Sequence, residues 1–184
     1  MRVIAGQAKG RFLKPVPGTH TRPTTDKVKE SIFNMIYPYI NGGNVLDLFA
    51  GTGGLGIEAL SRGMEHAIFI DRDRKSIEVI KQNLETTGFS SQAEVYLNEA
   101  ERALKVLYKR EVHFDMVFLD PPYKLNMIEK LLHTFYEYTL INSNGIIVTE
   151  HDSKVELAER IDHFRVIKKA IYGNTGITIF QNEI

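Results

Sequence analysis

The sequence predicts an α/β fold in which a mostly parallel sheet is covered by helices on both faces, and three observations carry that expectation. From Asn44 onward, short apolar runs alternate with segments of helical period. A glycine-rich turn, Gly51-Thr52-Gly53, joins the first run to the first helical segment of that series. The last two apolar runs stand too close together to enclose a helix. Strand–helix alternation builds a parallel sheet, because parallel neighbours need a crossover long enough for a helix. A short connection forces an antiparallel pair instead.

The elements follow in order. Residues 1–23 are rich in Gly, Pro, Thr and basic side chains, with apolar pairs at Val3-Ile4 and Phe12-Leu13, and read as a small hairpin or arm. Thr24 or Thr25 can cap a helix whose core side would carry Val28, Ile32, Met35 and Ile36, and Pro38 ends it. Residues 24–184 then form the main domain. Its first strand is expected at Val45-Leu46-Asp47-Leu48-Phe49, followed by a helix that stops near Gly63. Ala67–Ile70, Ala93–Leu97, Phe114–Leu119 and Gly145–Thr149 are the next strands, separated by helices around Ile77–Leu84, Ala103–Leu107 and Ile128–Phe135. Phe164–Ile167 and Gly176–Phe180 are the antiparallel pair.

Composition narrows the function. The 184 residues suffice for one domain with a sizeable core and are too few for two ordinary ones. Lys plus Arg and Asp plus Glu both number 23, so net charge is silent about a polyanionic partner, but its distribution is not. Arg2, Lys9, Arg11, Lys14, Arg22, Lys27 and Lys29 face only Asp26 before Glu30, an asymmetry suited to nucleic acid. The absence of cysteine removes thiolate metal sites and the covalent route to pyrimidine C5 methylation. The six histidines show no paired metal spacing, so no metal is expected. Neither a signal-like run nor a segment of membrane-spanning length is present, so a cytoplasmic protein without membrane contact is expected.

Two motifs carry chemistry. In Asp47-Leu48-Phe49-Ala50-Gly51-Thr52-Gly53-Gly54-Leu55-Gly56, the glycines allow a tight turn and close approach of a ligand, and the new helix offers backbone N–H groups. Asp71, 20 residues beyond Gly51, stands where a carboxylate accepts from both hydroxyls of a ribose. Gly51, Gly53 and Gly56 also satisfy the dinucleotide pattern, but Asp47 before the glycines opposes a pyrophosphate. It suits a cofactor with a positive ammonium and a sulfonium centre.

Asp120-Pro121-Pro122-Tyr123 follows the fourth strand at its carboxyl end, where ligands of open α/β sheets sit. An exocyclic amine on a nucleobase is a poor nucleophile because its lone pair is delocalised into the ring. Asp120 and the Pro121 carbonyl can each accept one of its N–H bonds, favouring a pyramidal nitrogen. Tyr123 offers a face for stacking the base, and the prolines, Pro122 included, hold the loop in one shape.

These motifs resemble the class I methyltransferases that act on amino groups. Arg2-Val3-Ile4-Ala5-Gly6, Gly10-Arg11, Arg22-Pro23-Thr24-Thr25-Asp26-Lys27-Val28-Lys29-Glu30, Phe33-Asn34 and Gly56–Gly63 narrow the resemblance to the bacterial 16S rRNA guanine-N2 methyltransferase (RsmD) family. The resemblance covers nearly the full chain. It implies a Rossmann-like fold with a seven-stranded sheet whose last strand is antiparallel, and S-adenosyl-L-methionine as cofactor. It places Arg22, Pro23 and Thr24 at the cofactor's methionine end, Asp47, Phe49, Gly51 and Gly53 at the glycine turn, Asp71 on the ribose, and Asn98 and Glu99 near the adenine. Glu99 departs from the aspartate common there. The implied partner is 16S rRNA or a small-subunit assembly particle, with Lys9, Arg11 and Lys14 supplying phosphate contacts, and a monomer is expected. From the residues alone, guanine N2 and adenine N6 are not separated, since Asp-Pro-Pro-Tyr serves both. A dehydrogenase on the glycine pattern and a non-catalytic RNA-binding scaffold are the readings from other classes.

Overall fold

The computed structural model describes residues 1–18, 24–122 and 126–184. Arg22 and Tyr123, both expected in the site, therefore lie outside the described residues, as does Pro23.

In chain order the elements are α1 (Asp26–Ile36), β1 (Asn44–Leu48), α2 (Gly54–Ser61), β2 (His66–Asp71), α3 (Arg74–Thr87), β3 (Ala93–Leu97), α4 (Ala100–Lys109), β4 (Phe114–Leu119) and α5 (Met127–Glu137), then β5 (Ile141–Asp152), β6 (Arg160–Ile161), β7 (Phe164–Tyr172) and β8 (Thr175–Asn182). The described strands form one eight-stranded sheet in the order β3-β2-β1-β4-β5-β8-β7-β6. β1 to β5 pair in parallel, and β8 is antiparallel to both of its neighbours, β5 and β7. The expected count of seven is corrected to eight by β6, a two-residue edge strand folding back on β7. Its pattern is too short to register as a strand in the sequence.

Alternate residues of each central strand divide between two cores, as the two-residue period of a strand requires. Val45, Phe69, Met116, Phe118 and Val148 pack beneath α1, α2 and α3. Leu46, Leu48, Ile68, Val117, Leu119 and Ile147 pack beneath α4 and α5. α1 is capped by Thr25, whose side chain accepts from the Val28 N–H. It buries Lys29, Ile32, Phe33 and Ile36, which corrects the expected face: Val28 and Met35 are only partly buried. Lys29 can take the inward position because its Nζ lies 3.3 Å from the equally buried Glu58 carboxylate of α2.

Among the described residues the N-terminal segment folds back on itself at the bridge Arg2↔Phe12, with the Val3 N–H donating to the Arg11 carbonyl and the Leu13 N–H to the Met1 carbonyl. It lies against the body, with Val3, Ala8 and Leu13 buried in the core shared with α1 to α3. Glu58 accepts from the backbone N–H groups of Ile4 (2.8 Å) and Ala5 (3.0 Å) as well as from Arg62 Nε. That carboxylate therefore clasps the segment to α1 and α2.

Candidate active site at the carboxyl edge of the sheet

The glycine turn is built around two carboxylates. Asp47 leaves β1 almost fully buried, and its Oδ2 accepts from the Gly56 N–H at 2.9 Å. Thr52 Oγ1 accepts from the Gly54 N–H at 3.2 Å. Two of the N–H groups expected to be free for a ligand are thus taken by the protein itself, and one is held by an acid. The start of α2 consequently has little left for a pyrophosphate, which removes the structural basis of the dehydrogenase reading.

Burial pushes the Asp47 carboxyl up to about 8, against the stabilising Gly56 N–H and with a further upward push from Asp71. A cationic group brought beside it would restore its charge. Asp71, at the end of β2, accepts from the Gly51 N–H through Oδ2 and from the Asp73 N–H through Oδ1, each at 2.9 Å. One bond to each oxygen fixes the carboxylate and leaves lone pairs on both for a pair of hydroxyls. Phe49 takes a left-handed backbone conformation (φ 66°), which costs a non-glycine residue of order 1–3 kcal/mol and is characteristic of ligand-binding turns. A Cβ on Gly56 would stand 2.4 Å from Phe69 Cε1, so glycine is required there for the helix to approach β2. These residues fit an adenosyl group bearing an amino-acid tail.

Asn98 follows β3, bonded to the Asp71 carbonyl through its N–H, and its side chain accepts from the Glu99 N–H. Glu99 precedes α4 and is exposed. Asp120, Pro121 and Pro122 follow β4 directly. Since β1 lies between β2 and β4, Asp71, Asp47 and Asp120 stand on adjacent strands along one edge.

Asp120 is exposed at the rim of the site. Loss of water around its carboxyl, then the neighbouring Glu150 carboxyl and then Asp47, push it up to about 8. Glu150 was not foreseen. It follows Thr149, which pairs with Leu119, so it flanks Asp120 on the next strand. Its charge is one of the causes that raise the Asp120 carboxyl, and it accepts from Thr24 Oγ1 at 3.0 Å. Thr24, expected at the cofactor's tail, is thereby joined to the strand that flanks Asp120. The usable signal was the strand order: an acid just past the fifth strand falls beside one just past the fourth.

The three basic residues expected to meet RNA are spread along the α2/α3 side rather than gathered at Asp120. Lys9 lies in the turn near the end of α2, where Ala8 N–H bonds Ser61. Arg11 Nη1 reaches the Thr86 carbonyl at the end of α3. Lys14 is held by Asn83, which accepts from the Lys14 N–H and donates to the carbonyls of Lys14 and Thr52.

Comparison with known proteins agrees with this geometry. The family model described as "Conserved hypothetical protein 95" matches residues 1–181. The chain belongs to this family. It is similar to YlbH of Bacillus subtilis, 57% identical over 181 residues covering 98% of each chain. It is also similar to the Haemophilus influenzae ribosomal RNA small subunit methyltransferase D, 34% identical over 182 residues covering 99% of this chain and 94% of the relative. Among solved structures, Escherichia coli yhhF, described as a methyltransferase, superposes with a TM-score of 0.86 at 29% identity, over 100% of this chain and 98% of that one. The protein is an enzyme with the Rossmann-like methyltransferase fold. Among the described residues, no helix is long and apolar enough to cross a membrane.

Proposed function

We propose that this protein transfers a methyl group from S-adenosyl-L-methionine to the exocyclic N2 of a guanine in small-subunit rRNA, acting as a monomer in the cytoplasm on the RNA or its assembly particle. The observation that carries the reading is the placement of Asp120 beside Asp47 on adjacent strands at one sheet edge. One acid suits a cationic cofactor tail, and the other suits an amine. The kinship with ribosomal RNA small subunit methyltransferase D supports rRNA as the substrate class.

When bound, the cofactor supplies an electrophilic methyl carbon. Asp47 sets its charge against the ammonium, Asp71 receives the ribose hydroxyls, and the strained turn at Phe49 shapes the adjoining wall. Asn98 and Glu99 flank the adenine. Asp120 and the Pro121 carbonyl accept the two N–H bonds of the amine and so turn its lone pair out of the ring plane. The nitrogen grows acidic only as it is alkylated, so Asp120 acts as an acceptor late in the step. Arg22 is assigned to the cofactor tail and Tyr123 to base stacking. Lys9, Arg11 and Lys14 are assigned to phosphates away from the reacting base, along the α2/α3 side.

The test is Asp120→Ala. It is expected to reduce transfer by at least about 100-fold, while cofactor affinity measured by calorimetry stays within about threefold. Wild-type turnover in that variant would refute the assignment.

A further inference from the structure

Phe12 is a large apolar side chain for which the fold has no use. It is 77% exposed, although the segment that carries it is firmly anchored. Leu13 beside it and Val3 on the facing stretch are buried, so the two-residue period of extended backbone turns Phe12 outward. A single exposed phenylalanine is ordinary in itself. Its surroundings are what single it out.

Arg2 faces Phe12 across the antiparallel bridge. The bonds from the Val3 N–H to the Arg11 carbonyl and from the Leu13 N–H to the Met1 carbonyl bracket that bridge. Arg2 and Phe12 therefore form a non-hydrogen-bonded pair, the arrangement in which two side chains on one face stand closest. Arg2 Nε lies 3.8 Å from Asp26, an exposed pair too weak to cancel the guanidinium charge. Arg11, next in sequence to Phe12, is exposed, and its one bond to the neutral Thr86 carbonyl orients its charge without cancelling it. Lys14, two residues on, is exposed as well.

The backbone beneath these side chains is fixed at several points. Glu58 accepts from the Ile4 and Ala5 N–H groups. The buried Asn83 accepts from the Lys14 N–H and donates to the carbonyls of Lys14 and of Thr52 in the glycine turn. Met1 Sδ lies 3.8 Å from Thr52 Oγ1 in the same turn. The ring is thus presented by a preformed surface that adjoins the cofactor turn.

We propose that Phe12 is a stacking platform for an unpaired nucleotide of the RNA substrate, with Arg2 and Arg11 taking the phosphates on either side. This rests on the reading of RNA as the substrate. The nucleotide is a neighbour of the reacting guanine and not the guanine itself, which belongs to the loop after β4. An aromatic face accepts any base, and cations beside it follow the backbone, so the combination suits single-stranded RNA. A duplex keeps its bases stacked on one another and offers none to the ring. An apolar side chain of a protein partner would cover the ring equally well, but it would leave the flanking cations unmatched. Because the platform is rigid, little ordering opposes the stack. It contributes to binding of the substrate and has no contact with the transferred methyl group.

Four changes at this position in the full-length chain test the proposal, assayed on undermethylated small ribosomal subunits with protein-free 16S RNA as a second substrate. Phe12→Ala is expected to raise the Kd and KM for the RNA-containing substrate about 10-fold, the scale of one lost base stack, with kcat within about twofold. Phe12→Leu should lose about as much, because it keeps an apolar side chain and removes the aromatic face. Phe12→Trp should bind as well as the wild type or better. The slope of log K against log salt should be unchanged in all three and fall by about 0.7 in Arg2→Gln, which removes a phosphate contact and leaves the ring. Melting temperatures should stay within about 2 °C of the wild type, since the side chain is exposed. Phe12→p-benzoylphenylalanine, irradiated on the subunit, should form its cross-link to 16S RNA.

Wild-type affinity in Phe12→Ala would overturn the platform. So would full affinity in Phe12→Leu, or a cross-link to ribosomal protein alone, either of which would mean an apolar protein contact. If the wild type methylates the subunit or its RNA while the Phe12 variants bind unchanged, the substrate reading stands and the platform falls. If the wild type places no methyl group on either, the substrate reading fails and takes this inference with it.

Discussion

Asp47→Asn should make the cofactor-free protein more stable at neutral pH while abolishing cofactor binding. Asp47 is 3% exposed, and burial raises its carboxyl from an ordinary 3.8 to about 8. Between these values the folded protein holds a proton that the unfolded chain releases. Stability contributed by this site is therefore full below about pH 4 and falls as the pH rises toward 8. At pH 7 the loss amounts to about 4 kcal/mol at 1.36 kcal/mol per pH unit for an unrelaxed site. Asparagine removes that penalty and keeps an oxygen for the Gly56 N–H, but its amide needs a partner of its own, at about 1–3 kcal/mol. The net gain expected is about 2 kcal/mol, or about 4–8 °C in Tm for a chain of this length. Scanning calorimetry of both proteins at about pH 4.5 and pH 7.5 reads it directly, because other titrating groups cancel in the difference. The asparagine variant should be the less stable by about 1 kcal/mol at the lower pH and the more stable at the higher one. Added S-adenosylmethionine should then raise the Tm of the wild type alone. A gap that does not change with pH, or an asparagine variant less stable at pH 7.5, would refute the reasoning.

Two further predictions concern the N-terminal segment. Glu58→Ala should cost about 3–5 kcal/mol in denaturant unfolding, since it strands the buried Lys29 charge and removes the acceptor for Ile4 and Ala5. Hydrogen exchange at those two amides should accelerate more than in β1; uniform acceleration would mean that the carboxylate does not clasp the segment. Replacing Lys9, Arg11 and Lys14 by glutamine should weaken substrate binding and lower the slope of log K against log salt by about 2, for roughly three lost phosphate contacts at about 0.7 each. A change in cofactor affinity alone would move these residues out of the RNA-binding assignment.

Most of the sheet was legible because its signals are local. Continuous apolar runs such as Val117-Phe118-Leu119 read as doubly covered strands, and the short gap between Phe164–Ile167 and Gly176–Phe180 forced an antiparallel pair. What escaped depends on contacts distant in the chain. Lys29 at a core position contradicts its type until Glu58, far along the sequence, neutralises it. β6 forms only because β7 offers it a partner, and its two residues carry no period. At the site, Asp47, Asp71 and Asp120 announced themselves by lying at strand ends beside recognisable turns. Glu150 lay at a strand end without a motif, and only the adjacency of β4 and β5 brings it to Asp120. Of the helix N–H groups expected to be free for a ligand, that of Gly56 proved to be occupied because Asp47 turns back onto its own loop.

The most direct test of the account is methyl transfer from labelled S-adenosylmethionine into undermethylated small ribosomal subunits, free 16S RNA and duplex DNA, followed by digestion to nucleosides. Label in N2-methylguanosine from the subunit or its RNA is the predicted result. Label in N6-methyladenine, or in DNA alone, would contradict the substrate assigned to this site.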